Sequence, residues 1–243
     1  MHIIKVSATE STNSFSREWY HTNKNLAPFC IVAFEQTAGR GQRGAGWISN
    51  AGENLTMSMV YPFPAVEPEA QFVLSAVVGL TIIEVLKELK INHLKLKWPN
   101  DIMSANFKVG GILIENILNN GRITASIIGI GLNVNQFLFP NLPKAASLKT
   151  ITGKDFDVEN VMNSVIKNLE KKLKSLESIS VKNILIDYEK HLFRRNKVST
   201  FQLPSGKFLT GIIKGVSATG LLKLEEEEGD IKLYDLKELK LLF

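Results

Sequence analysis

An α/β (α+β) domain with a mixed sheet flanked by helices, followed by a small C-terminal β-barrel, is the fold predicted for this chain of 243 residues. Three observations predict it. Short apolar strand-like runs and stretches of helical periodicity share the chain as far as residue 193. One helix, Pro68 to Lys90, is apolar on most faces, as a helix buried against a sheet would be. After Arg194-Arg195 the pattern changes to short strands separated by turn residues, and about fifty residues of this kind suit a small barrel. The expected domains are therefore 1–194 and 195–243.

Taken in order, Ile3–Val6 reads as a short strand, and Ser11-Thr12-Asn13 offers N-cap chemistry to a helix on which Phe15 and Trp19 fall one turn apart. Phe29–Glu35 is a buried strand that runs into the glycine-rich TAGRGQRGAGW. Leu55–Tyr61 is a second strand, ended by Pro62 and Pro64. His93–Trp98 alternates leucine with lysine, and Pro99 holds Trp98 extended and stops the strand. Val109–Leu118 and Arg122–Val134 flank Asn119-Asn120-Gly121, a hairpin turn. Helices follow at Val158–Leu176, with apolar residues at 158, 161, 162, 165, 166, 169, 173 and 176, and at Val181–Phe193. The barrel strands are Lys197–Leu203, Lys207–Val216, Leu221–Glu225, Ile231–Tyr234 and Leu236–Leu242. Their turns lie at Pro204-Ser205-Gly206, Ala218-Thr219-Gly220 and Glu228-Gly229-Asp230.

Composition narrows the function. Hydrophobic residues make up 44% and charged residues 22%, the balance of a soluble globular protein. The start, MHIIKVSATE, lacks the apolar core of a signal peptide, and no run reaches about 18 apolar residues, so a cytoplasmic protein without a membrane partner is expected. The single cysteine, Cys30, cannot form an internal disulfide and is expected to pack as a small buried hydrophobe in a reducing compartment. A net charge of +5 suits anionic ligands. The basic residues are dispersed, without a basic tail or an aromatic-rich RNA motif, which argues against a nucleic-acid partner, DNA included. Glu225–Glu228 reads as a solvated turn.

Four motifs carry chemistry. In Gly39-Arg40-Gly41-Gln42-Arg43-Gly44-Ala45-Gly46-Trp47 the glycines spell a dinucleotide fingerprint, yet no helix can begin in the sequence that follows, so that reading fails. A phosphate loop of the Walker type fails too, for want of a Lys-Ser or Lys-Thr. What remains is a loop whose amides can approach a ligand and whose Arg40 and Arg43 can meet negative charge. A hairpin tip with solvated arginines is the alternative. Lys97-Trp98-Pro99-Asn100-Asp101 places a fixed ammonium at a strand end beside a carboxamide and a carboxylate; a strand terminus with a capped turn would also use these residues. In Lys108-Val109-Gly110-Gly111-Ile112-Leu113-Ile114-Glu115, paired glycines let a ligand or another backbone lie against the sheet, beside a second cation. Gly129-Ile130-Gly131-Leu132-Asn133-Val134-Asn135 alternates small residues along a strand that ends in asparagines.

Together, GRG, KWPND, GGILIE and GIGLNVN, with the Ser11-Thr12-Asn13 start, resemble the biotin–protein ligase family in order and spacing over essentially the whole chain. No counterpart of the DNA-binding winged helix of repressor-type members precedes the first strand, so the resemblance is to the monofunctional class. It implies a catalytic domain like that of class II aminoacyl-tRNA synthetases and an SH3-like C-terminal barrel. It also implies ATP and biotin as substrates, Mg²⁺ as cofactor, a biotin carboxyl carrier domain as acceptor, and compatibility with a homodimer. On this resemblance Lys97 and Arg40 are the catalytic residues. Biotin would be held by Ser11, Thr12, Asn13, Gln36, Gly39, Arg40, Gly41, Gln42, Lys97, Gly110 and Gly111. ATP would be held by Arg40, Arg43, Trp47, Asn100, Asp101, Lys108 and Asn133, with Mg²⁺ on Asp101. Trp47 could equally be a core residue closing the loop. Many members carry two further loop arginines where this chain has Gln42 and Ala45, which puts retention of the adenylate in question. The same-fold alternative is a lipoate–protein ligase; a basic protein that binds nucleic acid without catalysis is the rival from another class.

Overall fold

Two sheets organise the chain in the computed structural model, which describes residues 1–23, 27–66, 71–176 and 180–243. The larger contains β1 (His2–Thr9), β2 (Phe29–Gln36), β3 (Leu55–Val66), β4 (Leu94–Lys97), β5 (Asp101–Ser104), β6 (Phe107–Asn119) and β7 (Arg122–Leu132), in the order β1-β2-β3-β7-β6-β5-β4. Only β1 and β2 pair in parallel; every other neighbour is antiparallel. A parallel pair needs a crossover, and α1 (Thr12–Asn23) supplies it. The mixed sheet expected from the sequence is the one observed.

Its two faces are covered differently. Against one face pack α2 (Gln71–Glu88), α4 (Val158–Lys174) and α5 (Val181–His191). The apolar residues of α2 are buried nearly all round, from Phe72 to Leu86, because α4 and α5 close the side that the sheet leaves open. On the other face α1 lays stacked Phe15 and Trp19, 6.2 Å apart, against Phe29, Ile31, Val60 and Ile127. This helix reaches β2, β3 and β7, so the stretch of that face over β7, β6 and β5 stays open. Cys30 points to the opposite, fully buried side, where burial pushes its thiol up to about 12.

Several boundaries differ from expectation for physical reasons. β3 continues through Pro62 and Pro64, because β2 pairs with it only as far as Val60 and the missing N–H groups therefore break no ladder bond there. Asp101–Ser104 is a separate strand inserted between β4 and β6. The expected start of the long helix at Pro68 lies outside the described residues, and α4 and α5 stop at Lys174 and His191. A further short helix, α3 (Leu148–Thr152), is held by a Ser147/Thr150 capping box. The hairpin turn is Asn120-Gly121, both at positive φ (49° and 77°), the conformation that matches strand twist.

The C-terminal strands are β8 (Val198–Gln202), β9 (Phe208–Val216), β10 (Leu222–Glu225), β11 (Ile231–Tyr234) and β12 (Lys240–Leu242), ordered β11-β10-β9-β8-β12 and all antiparallel. This small sheet shares the main core. Phe201, Ile213, Val216, Leu222, Leu224 and Leu239 are continuous with residues of α2 and α5. At the junction Trp98 Nε1 donates to the Gly220 carbonyl at 2.8 Å, and Glu189 accepts from the Val216 amide at 3.0 Å while pairing with Arg195 at 3.1 Å. No helix among the described residues is long and apolar enough to cross a membrane.

Candidate functional site

The open part of the sheet has a floor bared at its middle by three glycines, Gly111, Gly129 and Gly131. Strand register places Thr56, Gly131, Gly111 and Asp101 in one row across β3, β7, β6 and β5, and Ser58, Gly129 and Leu113 in the next. Over this floor lies a cavity of about 390 Å³, into which the start of α1, the 39–47 loop and the β4–β5 turn all project.

At one end the polar groups are fixed before any ligand arrives. The Thr12 amide and hydroxyl both donate to Gln36 Oε1, at 2.7 and 3.1 Å. Buried Ser58 Oγ lies 2.7 Å from Thr12 Oγ1 and 2.6 Å from Asn13 Oδ1. Asn13 Nδ2 donates to the Leu113 carbonyl at 3.2 Å and to Glu115 Oε2 at 2.9 Å. A Cβ on Gly129 would collide with Asn13 Oδ1, so the glycine is what lets this asparagine sit against the strand. Ser11, Thr12 and Asn13 are buried, and with Gln36 they form one wall of the cavity.

The loop from Gly39 to Trp47 closes on itself. Trp47 N–H donates to Gly39 O at 2.8 Å and Gly41 N–H to Ala45 O at 2.7 Å. A single 3₁₀ turn at Gln42–Gly44, with Arg43 at φ 57°, forms the tip, so no helix follows the glycines. The Arg40 guanidinium is folded back onto Ser14 Oγ (3.2 Å) and Glu115 Oε1 (3.1 Å), while Arg43 is exposed at the mouth. Trp47 lies flat over the glycine floor: a Cβ on Gly131 would come within 2.5 Å of the indole. Lys108 Nζ is 5.8 Å from the ring centroid, within cation–π range.

Facing the loop stand two lysines and one carboxylate. Lys97 and Asp101 are register partners across the β4–β5 turn, with Nζ 2.8 Å from Oδ2; Lys108 Nζ reaches Oδ1 at 2.6 Å. Burial alone would raise the Asp101 pKa, but Lys108 and then Lys97 outweigh it and hold the carboxyl below its ordinary value. The cluster thus carries one net positive charge whose direction is set by the fold. Both oxygens of Asp101 being engaged by ammonium groups, the expected Mg²⁺ site does not fit. Among the described residues no group of three His, Cys, Asp or Glu side chains could hold a metal ion.

Of the expected site residues, the sheet and loops bring together Ser11, Thr12, Asn13, Gln36, Arg40, Gly41, Gln42, Arg43, Trp47, Lys97, Asn100, Asp101, Lys108 and Gly111. Three others do not line the cavity. Gly39 instead accepts the Trp47 amide, and a Cβ there would strike the Trp47 carbonyl. Gly110 faces the packed side, 2.5 Å from Leu132 by its would-be Cβ. Asn133 is buried, its amide spent on the carbonyls of Lys108 and Ala146 at 3.4 and 3.0 Å. Asn100 stays at the wall, with Nδ2 committed to the Ile112 carbonyl at 2.8 Å.

Sequence reasoning missed Ser58, Glu115, Gly129, Gly131, Leu236 and Lys240. Glu115, Gly129 and Gly131 lie inside the GGILIE and GIGLNVN motifs, and strand alternation with the register of β6 and β7 puts them on the face of Gly111. Ser58 is signalled by a hydroxyl inside an apolar strand. Leu236 and Lys240 reach the cavity from the C-terminal sheet, which no local pattern announces.

Known proteins resemble this chain in sequence and fold. The bifunctional ligase/repressor BirA of Bacillus subtilis is 30% identical over 238 residues, covering 96% of this chain and 72% of its own. The biotin–[acetyl-CoA-carboxylase] ligase of Mycobacterium tuberculosis is 26% identical, covering 90% of this chain and 82% of its own. The structure of a biotin protein ligase from Aquifex aeolicus in complex with biotin and ATP superimposes with a TM-score of 0.80 at 30% identity, over 99% of this chain and 98% of that one. Residues 6–133 match the family model described as biotin/lipoate A/B protein ligase, and the chain belongs to that family.

Proposed function

We propose that this chain condenses biotin with ATP to biotinyl-5′-AMP and pyrophosphate, then transfers the biotinyl group to a lysine of a biotin carboxyl carrier domain of acetyl-CoA carboxylase or a related carboxylase. The observation that carries the reading is the union, in one cavity, of a pre-fixed polar end, a glycine floor and a directed pair of ammonium groups. Names carried by the relatives support the same substrates.

In the first step a biotin carboxylate oxygen attacks the α-phosphorus and the bond to pyrophosphate breaks. Two anions must meet, so fixed cations are the main requirement. Lys97 and Arg40 are proposed to flank the reacting carboxylate and phosphate, with Lys108 and Arg43 on the nucleotide phosphates. Asp101 serves by aiming both lysines. A divalent cation accompanying ATP would be held by the nucleotide's own phosphates. Ser11, Thr12, Asn13 and Gln36 are proposed to bind the ureido ring, Gly111 to admit the bicyclic body, and Trp47 to stack with adenine. In the second step the carrier amine attacks the acyl carbon, AMP departs, and the nitrogen loses its proton. No enzyme nucleophile is needed.

The proposed division is a catalytic domain, 1–194, and a C-terminal β domain, 195–243, which supplies Leu236 and Lys240 to the mouth of the site. A reducing cytoplasm suits the one buried thiol. Biotin-dependent exchange of labelled pyrophosphate into ATP tests the function. Exchange with lipoate in place of biotin would overturn it in favour of a lipoate–protein ligase.

A further inference from the structure

We infer that Glu115 is a positioning residue: it serves as the resting counter-ion of Arg40 and ties the loop to the ureido end of the site, so the ligand's anion must displace it. The inference rests on the biotin-ligase reading above and names a residue which that reading does not use.

Glu115 stands on β6 on the same face as Gly111 and Leu113, two residues beyond the cavity wall. Its two oxygens are divided. Oε2 accepts from Asn13 Nδ2 at 2.9 Å, and Oε1 takes Arg40 at 3.1 Å, with Arg17 further off at 3.8 Å. Asn13 is itself joined through Ser58 to Thr12 and Gln36. One carboxylate therefore belongs at once to a rigid, buried network and to a mobile type of side chain, the Arg40 guanidinium, which is half-exposed. Glu115 is four-fifths buried at its side chain, whereas the loop tip beyond Arg40 is held by backbone bonds of its own.

The chemistry of this arrangement is competition. A guanidinium on a carboxylate prefers a better-placed anion when one is offered, and a biotin carboxylate or an adenylate phosphate in the cavity is such an anion. Glu115 thus keeps the half-exposed Arg40 from wandering into solvent. It also sets a threshold: only a ligand that carries a negative charge can recruit the arginine. The polar end recognises the ring regardless of that charge, so the ester of biotin, neutral at the same position, should miss the contributions of Arg40 and Lys97, of which only the first answers to Glu115.

The test compares the dissociation constants of biotin and biotin methyl ester by titration calorimetry, in wild type, Glu115→Gln, Arg40→Ala and the double variant. Glutamine keeps an acceptor for Asn13 and removes the charge that competes for Arg40. The acid-over-ester preference is expected to rise roughly two- to fivefold in Glu115→Gln, the worth of releasing one partly exposed ion pair. It should fall below wild type in Arg40→Ala, and the substitution at 115 should then have no further effect. An unchanged preference in a biotin-binding Glu115→Gln would overturn this inference while leaving the function intact. A rise that persists in the double variant would overturn it too, since another cation would then be responsible. Arg40 is exposed enough for Arg40→Ala to fold; if Glu115→Gln does not, Glu115→Asp, whose carboxylate is drawn back from Arg40 by one methylene, takes its place in both single and double variants with the same rise expected. Failure of the wild type to bind acid and ester alike would instead remove the biotin reading itself, and the inference with it.

Discussion

Lys108 Nζ lies 2.6 Å from Asp101 Oδ1, and the pair joins β6 to β5 at the edge of the glycine floor. Lys97 holds the other oxygen of the same carboxylate. Replacing Lys97 by alanine is expected to leave the fold intact and to lower adenylate formation by orders of magnitude, since one preorganised electrostatic contact is worth roughly 2.7–4 kcal/mol. Pyrophosphate exchange measures the loss, and biotin affinity should change far less. Near-normal exchange would show that Lys97 does not face the reacting groups.

The same carboxylate predicts an acid limit. Its folded pKa lies below the ordinary value of 3.8, so its contribution to stability is present above pH 3.8 and is lost as pH falls through the folded value. Thermal unfolding followed between pH 5 and pH 2 should therefore be steeper in wild type than in Asp101→Asn. Parallel curves would mean that the lysines gain nothing from Asp101 beyond what solvent provides.

Gly129→Ala is expected to weaken biotin without a matching effect on ATP. The added methyl would meet Asn13 Oδ1 and the Leu113 carbonyl, forcing the asparagine from its bonds to Ser58 and Glu115. Misplacing one hydrogen-bonding group costs about 0.5–1.5 kcal/mol, or roughly two- to tenfold in affinity. Equal weakening of both ligands would point to a general disturbance of the sheet.

Removal of residues 197–243 should abolish stable folding rather than transfer alone. Phe201, Leu222 and Leu224 are buried in the core shared with α2 and α5, and each such side chain stabilises by about 1.5–3 kcal/mol against a total of only about 5–15. Circular dichroism would show a lowered or absent unfolding transition. A truncated chain that melts like the intact one would make the C-terminal sheet an independent appendage.

At the loop tip, Gln42 and Ala45 stand without charge beside exposed Arg43. Gln42→Arg should slow release of the adenylate and reduce stray biotinylation of bystander lysines when no carrier is present. Stopped-flow release beside a blot for labelled bystander protein would read both. Identical release in the two proteins would mean that Arg43 and the loop amides already hold the intermediate.

The sequence made the mixed sheet legible because apolar runs and turn residues are local signals, and the motifs because their residue types are rare in combination. What it could not place depends on register and on distant segments. Gly110 and Gly111 look interchangeable in the chain, but pairing with β7 sends one into packing against Leu132 and the other into the floor. Asn133 reads as a ligand group, and its partners at 108 and 146 become visible only once the strand end is folded. Asp101 reads as a metal ligand until two lysines from different strand positions are seen on its two oxygens. Lys240 has no signal at all in its own neighbourhood; only the docking of the small sheet brings it to the cavity mouth.

Cys30, inaccessible in β2 and with its thiol raised to about 12, leaves this chain with no reactive thiol at neutral pH. Thiol-directed dyes should therefore pass over the native protein while it is folded. A cysteine introduced at exposed Ala45 would be the sole point of attachment, and a fluorophore or spin label there would follow the loop through binding and transfer without any need to delete the natural residue first.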